Sequence, residues 1–504
     1  MSTPSAQHTR DWTAPWWDRQ WKLHIDGSWV DGHGDECSAV INPATEEVIA
    51  HVPQGSAIDV ETALAAARRA FDEGPWPRMT PAQRGEVMRR MADIMERRLA
   101  DLIELNICEA GAVRALAATR QTREPIREFR DLAENIVPRF QWERPLNAVV
   151  GSGIGQGMLR RVPWGVTALI SAYNFPLFLN LAKLGPALAA GCTAVLKPAP
   201  STPLQALVLA EVAEEAGLPP GVLSVVTGDV GVGQELTTSP LVDLVSFTGS
   251  DAVGSRVYQQ AAATNKKVIL ELGGKSASII CEDADLDRAL PGIIAGIVTH
   301  AGQGCALLTR TLVNQSRRDE LVEKLVIALR RIVVGDPADP RTQMGPVISE
   351  QQRGQVEKLI ATGLAEGANL AVGGGRPQAL QQGFFVEPTL FVDVDNSMTI
   401  AQQEIFGPVG AVITFDTDAQ AVRIANDSKY GLSGSVWAKD PVRAYEIAKQ
   451  LRTGNVTVNG GGGGANPDTA FGGFKQSGLG REWGAHGLDE YLQTQCVMWG
   501  VATG

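Results

Sequence analysis

The sequence holds little that could staple, anchor or strongly charge a protein. Six cysteines, Cys37, Cys108, Cys192, Cys281, Cys305 and Cys496, are scattered over 504 residues with no C-x-x-C pair and no histidines beside them. Such spacing supports neither a disulfide framework nor a zinc site, so no metal is expected and a reducing, cytoplasmic setting fits best. No apolar stretch reaches the roughly 18 to 20 residues of a membrane span. The first twenty positions carry Asp, Arg and several tryptophans in place of a continuous apolar run, which is not how a secretory signal reads. Trp12, Trp16 and Trp17 there read as packing residues, against the body of the protein or a partner subunit. Long Lys/Arg runs are also missing, and the formal net charge is −11. That balance argues against a nucleic-acid surface and against anionic membranes, leaving a small molecule as the expected partner.

What is present is an ordinary globular composition, 44% hydrophobic, in a chain long enough for two or three domains. From Lys22 to Val48 apolar and polar residues alternate between Gly and Asn-Pro punctuation, which predicts short strands and turns. Ser56-Ala57-Ile58-Asp59 reads as a capping box opening a helix over Val60 to Phe71. Thr80-Pro81 caps a longer one whose Val87, Met91, Ile94, Met95 and Leu102 keep helical spacing. Further on, helical text is found at Arg318 to Arg331 and Gln351 to Glu366.

Between Val166 and Ile280 apolar runs alternate with helical text: Val166 to Ile170, Thr193 to Leu196, Leu223 to Val226, Leu244 to Phe247 and Val268 to Leu272. This predicts an α/β fold with a Rossmann-like parallel sheet covered on both faces, and a nucleotide in the crevice at the carboxyl ends of its strands. Two glycine clusters compete for the phosphates. Gly151-Ser152-Gly153-Ile154-Gly155-Gln156-Gly157 fails the G-x-G-x-x-G spacing and precedes a strand, so it reads as a connecting arm. Gly249, Ser250 and Gly254 follow an apolar strand and open a helix whose first amides could face a pyrophosphate; by itself this could be a plain strand-to-helix turn.

The most informative stretch is His300-Ala301-Gly302-Gln303-Gly304-Cys305-Ala306, a lone cysteine among small residues. Small neighbours let a carbonyl and a cofactor approach sulfur closely, yet a thiol with a free pKa of about 8.5 needs help to become a nucleophile. Glu271, in Leu270-Glu271-Leu272-Gly273-Gly274-Lys275-Ser276, is a candidate base. Taken singly, the plainer readings are a buried cysteine and a strand end.

Together, Glu271-Leu272-Gly273-Gly274-Lys275-Ser276 and Gly302-Gln303-Gly304-Cys305 resemble the two signature segments of the aldehyde dehydrogenase superfamily, and the likeness runs from about Ile25 to Tyr491. The resemblance implies a cofactor domain over 1–140 and 162–278, an α/β catalytic domain over 279–470, and a small oligomerisation extension over 141–161 and 486–504 of a homo-oligomer, dimer or tetramer. It implies Cys305 as nucleophile, Glu271 as the base for hydrolysis, Asn174 with the Cys305 amide as oxyanion donors, and Glu482 as a proton-relaying carboxylate. For Glu482 a surface ion pair is the competing reading. Lys197 and Glu404 resemble the residues that hold the two cofactor riboses, and Tyr173, Phe406, Gly249, Ser250 and Gly254 fall in the segments around the cofactor. A strand-end lysine, an exposed glutamate and a turn-forming asparagine are the plainer alternatives.

Three departures bear on specificity. Pro200 stands three residues after Lys197, where many NAD-using relatives have a glutamate that repels a 2′-phosphate; the cofactor is expected to be NAD, with NADP possible. Gly304 replaces a side chain beside the nucleophile and suggests a roomier or more mobile loop. Ala182 and the run Asn459 to Ala465 stand where relatives often have bulky or aromatic pocket residues. Their small size favours a bulky apolar or aromatic aldehyde over betaine aldehyde, which needs an aromatic cage, unless the glycines are only a flexible loop. The expected reaction is oxidation of an aldehyde to the acid through a thiohemiacetal and thioester. The alternatives are acyl-coenzyme A formation, disfavoured by Glu271, and a catalytically silent nucleotide-binding protein on the same fold.

Overall fold

The computed structural model describes residues 19–34, 36–150, 154–461 and 466–501. Trp12, Trp16, Trp17, Gly151 to Gly153, Gly462 to Ala465 and the last three residues lie outside that range.

The five apolar runs expected to be strands are strands, and they pair in parallel as neighbours. Their order is Leu223–Val225, Thr193–Lys197, Val166–Ile170, Leu244–Thr248, Lys267–Glu271. Almost every side chain in them is buried, because helices cover both faces of the sheet. The sheet is mixed at its edges. Leu23–Ile25 and Ser28–Val30 add antiparallel at one side, and Gly478–Leu479 returns from near the end of the chain to pair antiparallel with Leu270 and Glu271 at the other. Successive strands run one way from Val166–Ile170 to Leu223–Val225 and the other way from Leu244–Thr248. The order therefore reverses between Ile170 and Thr248, where an open α/β sheet forms its ligand crevice.

A second, seven-stranded sheet begins with Ala277–Ile280 and Arg310–Asn314, parallel neighbours at its centre. It has its own apolar core around Ile279, Leu312, Phe391 and Val436. Residues 272–276 are the short bridge between the sheets, so the carboxyl edge of the first faces the amino edge of the second. That junction is where the site forms.

Both capping boxes are present: Ser56 and Asp59 open Ala57–Asp72, and Thr80 and Gln83 open Pro81–Arg97. The longer helix does not continue to Leu102. Arg98 leaves helical geometry (φ −97°, ψ 14°) and a separate helix, Leu99–Ala110, follows. The Arg98 guanidinium at this break bonds the buried Glu211 carboxylate at 2.6 Å.

The segments at 141–161 and near the end of the chain meet in a separate antiparallel sheet. Ile154–Pro163 pairs with Leu492–Val501 over ten residue pairs, and Glu143–Pro145 and Val149–Val150 add to it. The second half of the glycine cluster, Gly155 to Gly157, is thus strand, away from the crevice.

Candidate active site

Four strand ends of the first sheet supply one wall. After Ile170 the chain turns through Tyr173 and Asn174 into the helix Pro176–Ala190, whose proline takes the first turn, where its missing N–H costs no bond. After Thr248, Gly249 donates its N–H to the main-chain oxygen of Glu271 at 3.1 Å. Ser250 then caps the helix Asp251–Ala262. Side chains would not fit at two points: a Cβ on Gly249 would meet the Phe247 ring at 2.4 Å, and one on Gly254 would meet Leu272 at 2.5 Å. Lys197 ends its strand buried, with Nζ bonded to the Pro198 carbonyl at 3.2 Å. Burial pulls its ammonium down to about 8, against the pull of Asp229. Pro200 is exposed nearby.

The opposite wall is the thiol loop, and it is strained. His300, Ala301 and Gly302 are consecutive left-handed residues (φ 49°, 52° and 76°), a conformation costing roughly 1–2 kcal/mol for each non-glycine residue. Gln303 holds the loop in place. Its side-chain amide donates to the His300 carbonyl at 3.0 Å, and its Oε1 accepts from the Ile348 N–H at 2.9 Å. Its carbonyl accepts from Asn174 Nδ2 at 3.0 Å. Asn174 is thereby tied to the cysteine loop and keeps a second N–H for another acceptor. A Cβ on Gly302 would lie 2.0 Å from the Gly407 oxygen, so only glycine lets this loop settle against the Glu404–Pro408 segment.

Gly304 does not make the loop roomier on its own side. A Cβ there would lie 2.8 Å from Leu307 Cγ, so Leu307 already fills the space that a side chain would take.

The two motif segments are in contact. A Cβ placed on Gly274 would sit 2.3 Å from the Cys305 carbonyl oxygen. Glu404 reaches across as well, its Oε1 accepting the Gly274 N–H at 3.0 Å. Cys305 is partly exposed. Desolvation, then the carboxylates of Glu404, Glu271 and Glu482, push its thiol well above the ordinary range, while the Ala306 amide pulls it down.

Both carboxylate oxygens of Glu271 are buried without a hydrogen-bond partner. Burial, then Glu482, raises its carboxyl well above the usual range, with Lys183 and Arg481 pulling the other way. Glu482 is not a surface ion pair. It is 2% exposed and bonds Lys183 Nζ at 2.8 Å, and that same ammonium donates to Ser246 at 3.0 Å. Nor is Glu404 an exposed surface glutamate, since burial pushes it up to about 7 despite the Gly274 N–H. Phe406, left-handed at φ 54°, meets Tyr173 edge to face with ring centroids 5.8 Å apart.

The crevice carries groups that could hold a dinucleotide. The hydroxyls of Tyr173 and Thr248 are buried with no hydrogen-bond partner among the described residues, Lys197 ends the strand that pairs with Val166–Ile170, and a carboxylate at Glu404 stands on the thiol side. Thr248, Lys183 and Gln303 are not singled out by sequence reasoning. A lysine inside the apolar run Leu179 to Ala190 was the available signal for Lys183; for Gln303 there was none. Among the described residues there is no cluster of metal-ligating side chains and no helix long and apolar enough to cross a membrane.

Residues 29–497 match the aldehyde dehydrogenase family. The chain is similar to an aldehyde dehydrogenase of Mycobacterium tuberculosis solved with NAD+, at 46% identity and a TM-score of 0.91, covering 94% of this chain and 97% of that one. It is similar to aldehyde dehydrogenase C of Pseudomonas syringae, solved as a mutant with NAD+ and octanal, at 42% identity and a TM-score of 0.89, covering 95% and 96%. A betaine aldehyde dehydrogenase of Staphylococcus aureus solved with NAD+ is 36% identical with a TM-score of 0.92, covering 95% of each chain.

Proposed function

This chain belongs to the aldehyde dehydrogenase family, and we propose that it oxidises a bulky apolar or aromatic aldehyde to the carboxylic acid through a covalent intermediate on Cys305, with NAD as hydride acceptor. The observation that carries the reading is the contact of Gly274 with the Cys305 carbonyl, which brings the loop of an unpaired buried carboxylate against the loop of the thiol.

The Cys305 sulfur attacks the aldehyde carbon as its proton passes to the carbonyl oxygen, giving a thiohemiacetal whose hydroxyl proton is released to water when the hydride leaves. Asn174, held by Gln303, offers its free N–H to the oxygen on which charge develops, with the Cys305 amide as the second donor. NAD, when bound, takes up the hydride that leaves the substrate carbon. Lys197, Glu404, Tyr173 and Phe406 would hold and orient it, and Gly249, Ser250 and Gly254 would receive its phosphates; the unpartnered hydroxyl of Tyr173 supports that role. The thioester left on Cys305 is opened by water. Glu271 takes the water proton, the carbon–sulfur bond breaks, and the acid leaves as the thiol is restored. Glu482, paired with Lys183, is the next carboxylate inward and receives protons from Glu271.

An apolar substrate is supported by Ala182, which lines a crevice with Phe129, Leu132, Trp483 and Leu488, and by the octanal held by the Pseudomonas syringae relative. The NAD complexes of the three relatives support NAD over NADP. The antiparallel sheet of Glu143–Pro145, Val149–Val150, Ile154–Pro163 and Leu492–Val501 leaves Val149, Val150, Met498 and Trp499 exposed, which supports its pairing with another subunit.

The test is NADH and NADPH formation, followed by absorbance, from short aliphatic, long aliphatic, terpenoid and aromatic aldehydes, with Cys305→Ala as control. Reduction of NAD that needs Cys305 and is fastest with bulky apolar aldehydes is the expected result. Cofactor binding with no turnover of any aldehyde would overturn the dehydrogenase reading in favour of a silent nucleotide binder, and turnover only in the presence of coenzyme A would reassign the acyl acceptor.

A further inference from the structure

The crevice beside Ala182 contains a group that an apolar pocket does not explain. Its walls include Phe129, Leu132, Ala182, Trp483 and Leu488, and among them stands the carboxyl of Glu128. Glu128 is 8% exposed, and its Oε2 is buried with no hydrogen-bond partner among the described residues. Its helix, Arg123–Asp131, packs on Pro176–Ala190. Leaving a buried polar group unbonded costs about 1–3 kcal/mol, so such a group calls for a partner that arrives from outside.

A row of ring contacts runs from Trp483 in the crevice wall to the thiol loop. Trp483 lies 4.5 Å from Phe178, Phe178 lies 6.0 Å from Phe175, and Phe175 lies 5.5 Å from His300. Trp483 also directly follows Glu482 in the chain. From Pro176, next to the Asn174 segment, to Ala182 the helix advances about 9 Å, at 1.5 Å per residue. Glu128 thus stands at the end of this row that is remote from His300 and the thiol loop.

We propose that Glu128 is a specificity-determining residue that reads a hydroxyl group at the remote end of an otherwise apolar aldehyde. The proposal rests on the reading of Cys305 as the site of aldehyde attack. A hydroxyl suits this carboxyl better than an ammonium does. Burial, then the neighbouring Glu124, raises Glu128 to about 8, with Arg127 the opposing influence. At neutral pH the group is therefore largely a neutral acid, able to donate one hydrogen bond to a hydroxyl and accept another from it. The apolar walls accept the remainder of the chain.

The test uses the Cys305→Ala protein, which holds aldehydes without consuming them, titrated by calorimetry with decanal and ω-hydroxydecanal. The expected result is a preference of about tenfold for the hydroxylated chain, the worth of one well-placed hydrogen bond. Adding Glu128→Leu should erase that preference while leaving decanal bound at least as tightly, and Glu128→Gln, which keeps a donor and an acceptor, should retain most of it. Glu128→Met replaces the leucine variant if that one does not fold. In the active enzyme the preference should fall in KM and leave kcat shared between the two aldehydes. Equal binding of both chains, or a preference that survives Glu128→Leu, overturns the proposal. Because the titration needs no turnover, failure of the enzyme to oxidise either aldehyde would sink the dehydrogenase reading and still leave the role of Glu128 decided.

Discussion

Replacing Glu128 by leucine should stabilise the protein, and by an amount that grows with pH. The folded carboxyl titrates near 8 where an unstrained glutamate titrates near 4.5. Between those values the unfolded chain has released the proton that the folded chain retains. Stability is therefore lost as pH rises from about 4.5 toward 8, and the loss levels off above that window. At about 1.36 kcal/mol per pH unit, the full displacement amounts to about 5 kcal/mol. Glu128→Leu removes this group, while the other buried carboxylates, Glu109 and Glu404 among them, titrate alike in both proteins and cancel from the difference. An unfolding entropy of about 2.1 cal/mol/K per residue over a chain of this length converts 1 kcal/mol to about 1 °C. The variant should melt higher than the parent by scanning calorimetry, and the gap should widen by about 3–4 °C between pH 5 and pH 8. A gap that is the same at both pH values would refute the account of Glu128 as a buried, unpaired carboxyl.

Three other substitutions probe the thiol side. Glu271→Gln should slow thioester hydrolysis by about 10²–10⁴ and leave acylated Cys305 visible by intact-protein mass spectrometry after one turnover. As a base Glu271 acts only when deprotonated, and its carboxyl is held well above the ordinary range, so parent activity should rise with pH through an inflection above that range; Glu482→Gln, which removes the nearer like charge, should move the inflection to lower pH. Lys183→Met strands the buried Glu482 carboxylate and should cost about 3–5 kcal/mol, read as a lower melting temperature. The double variant Lys183→Met with Glu482→Gln should recover most of that loss, and a double variant no more stable than the single one would argue against the pairing.

The five parallel strands of the first sheet were legible because they are buried on both faces, and burial on both faces writes an uninterrupted apolar run into the chain. Helix starts were legible for a local reason: Ser56 with Asp59 and Thr80 with Gln83 satisfy first-turn amides within four residues. The end of the second helix was not: Arg98, at the break, bonds a carboxylate at Glu211, more than a hundred residues away. Gly304 shows the same limit. Its missing side chain reads as added room, and only the folded loop reveals Leu307 in that room.

Charged residues divide along the same line. Glu271 and Cys305 stand out by the glycines and small residues around them, because close approach must be built into the local chain. Glu482 and Glu128 lie in ordinary polar text, and nothing local marks a buried carboxylate. Burial is decided by what packs over it: Lys183 from another helix in one case, and the walls around Ala182 and Trp483 in the other. The sequence by itself determined the alternating sheet, the order of its strands along the chain and the two loops that carry thiol and carboxylate. The tertiary structure alone decided that those loops touch and which carboxyls lose water, because contact and desolvation depend on segments far apart in the chain.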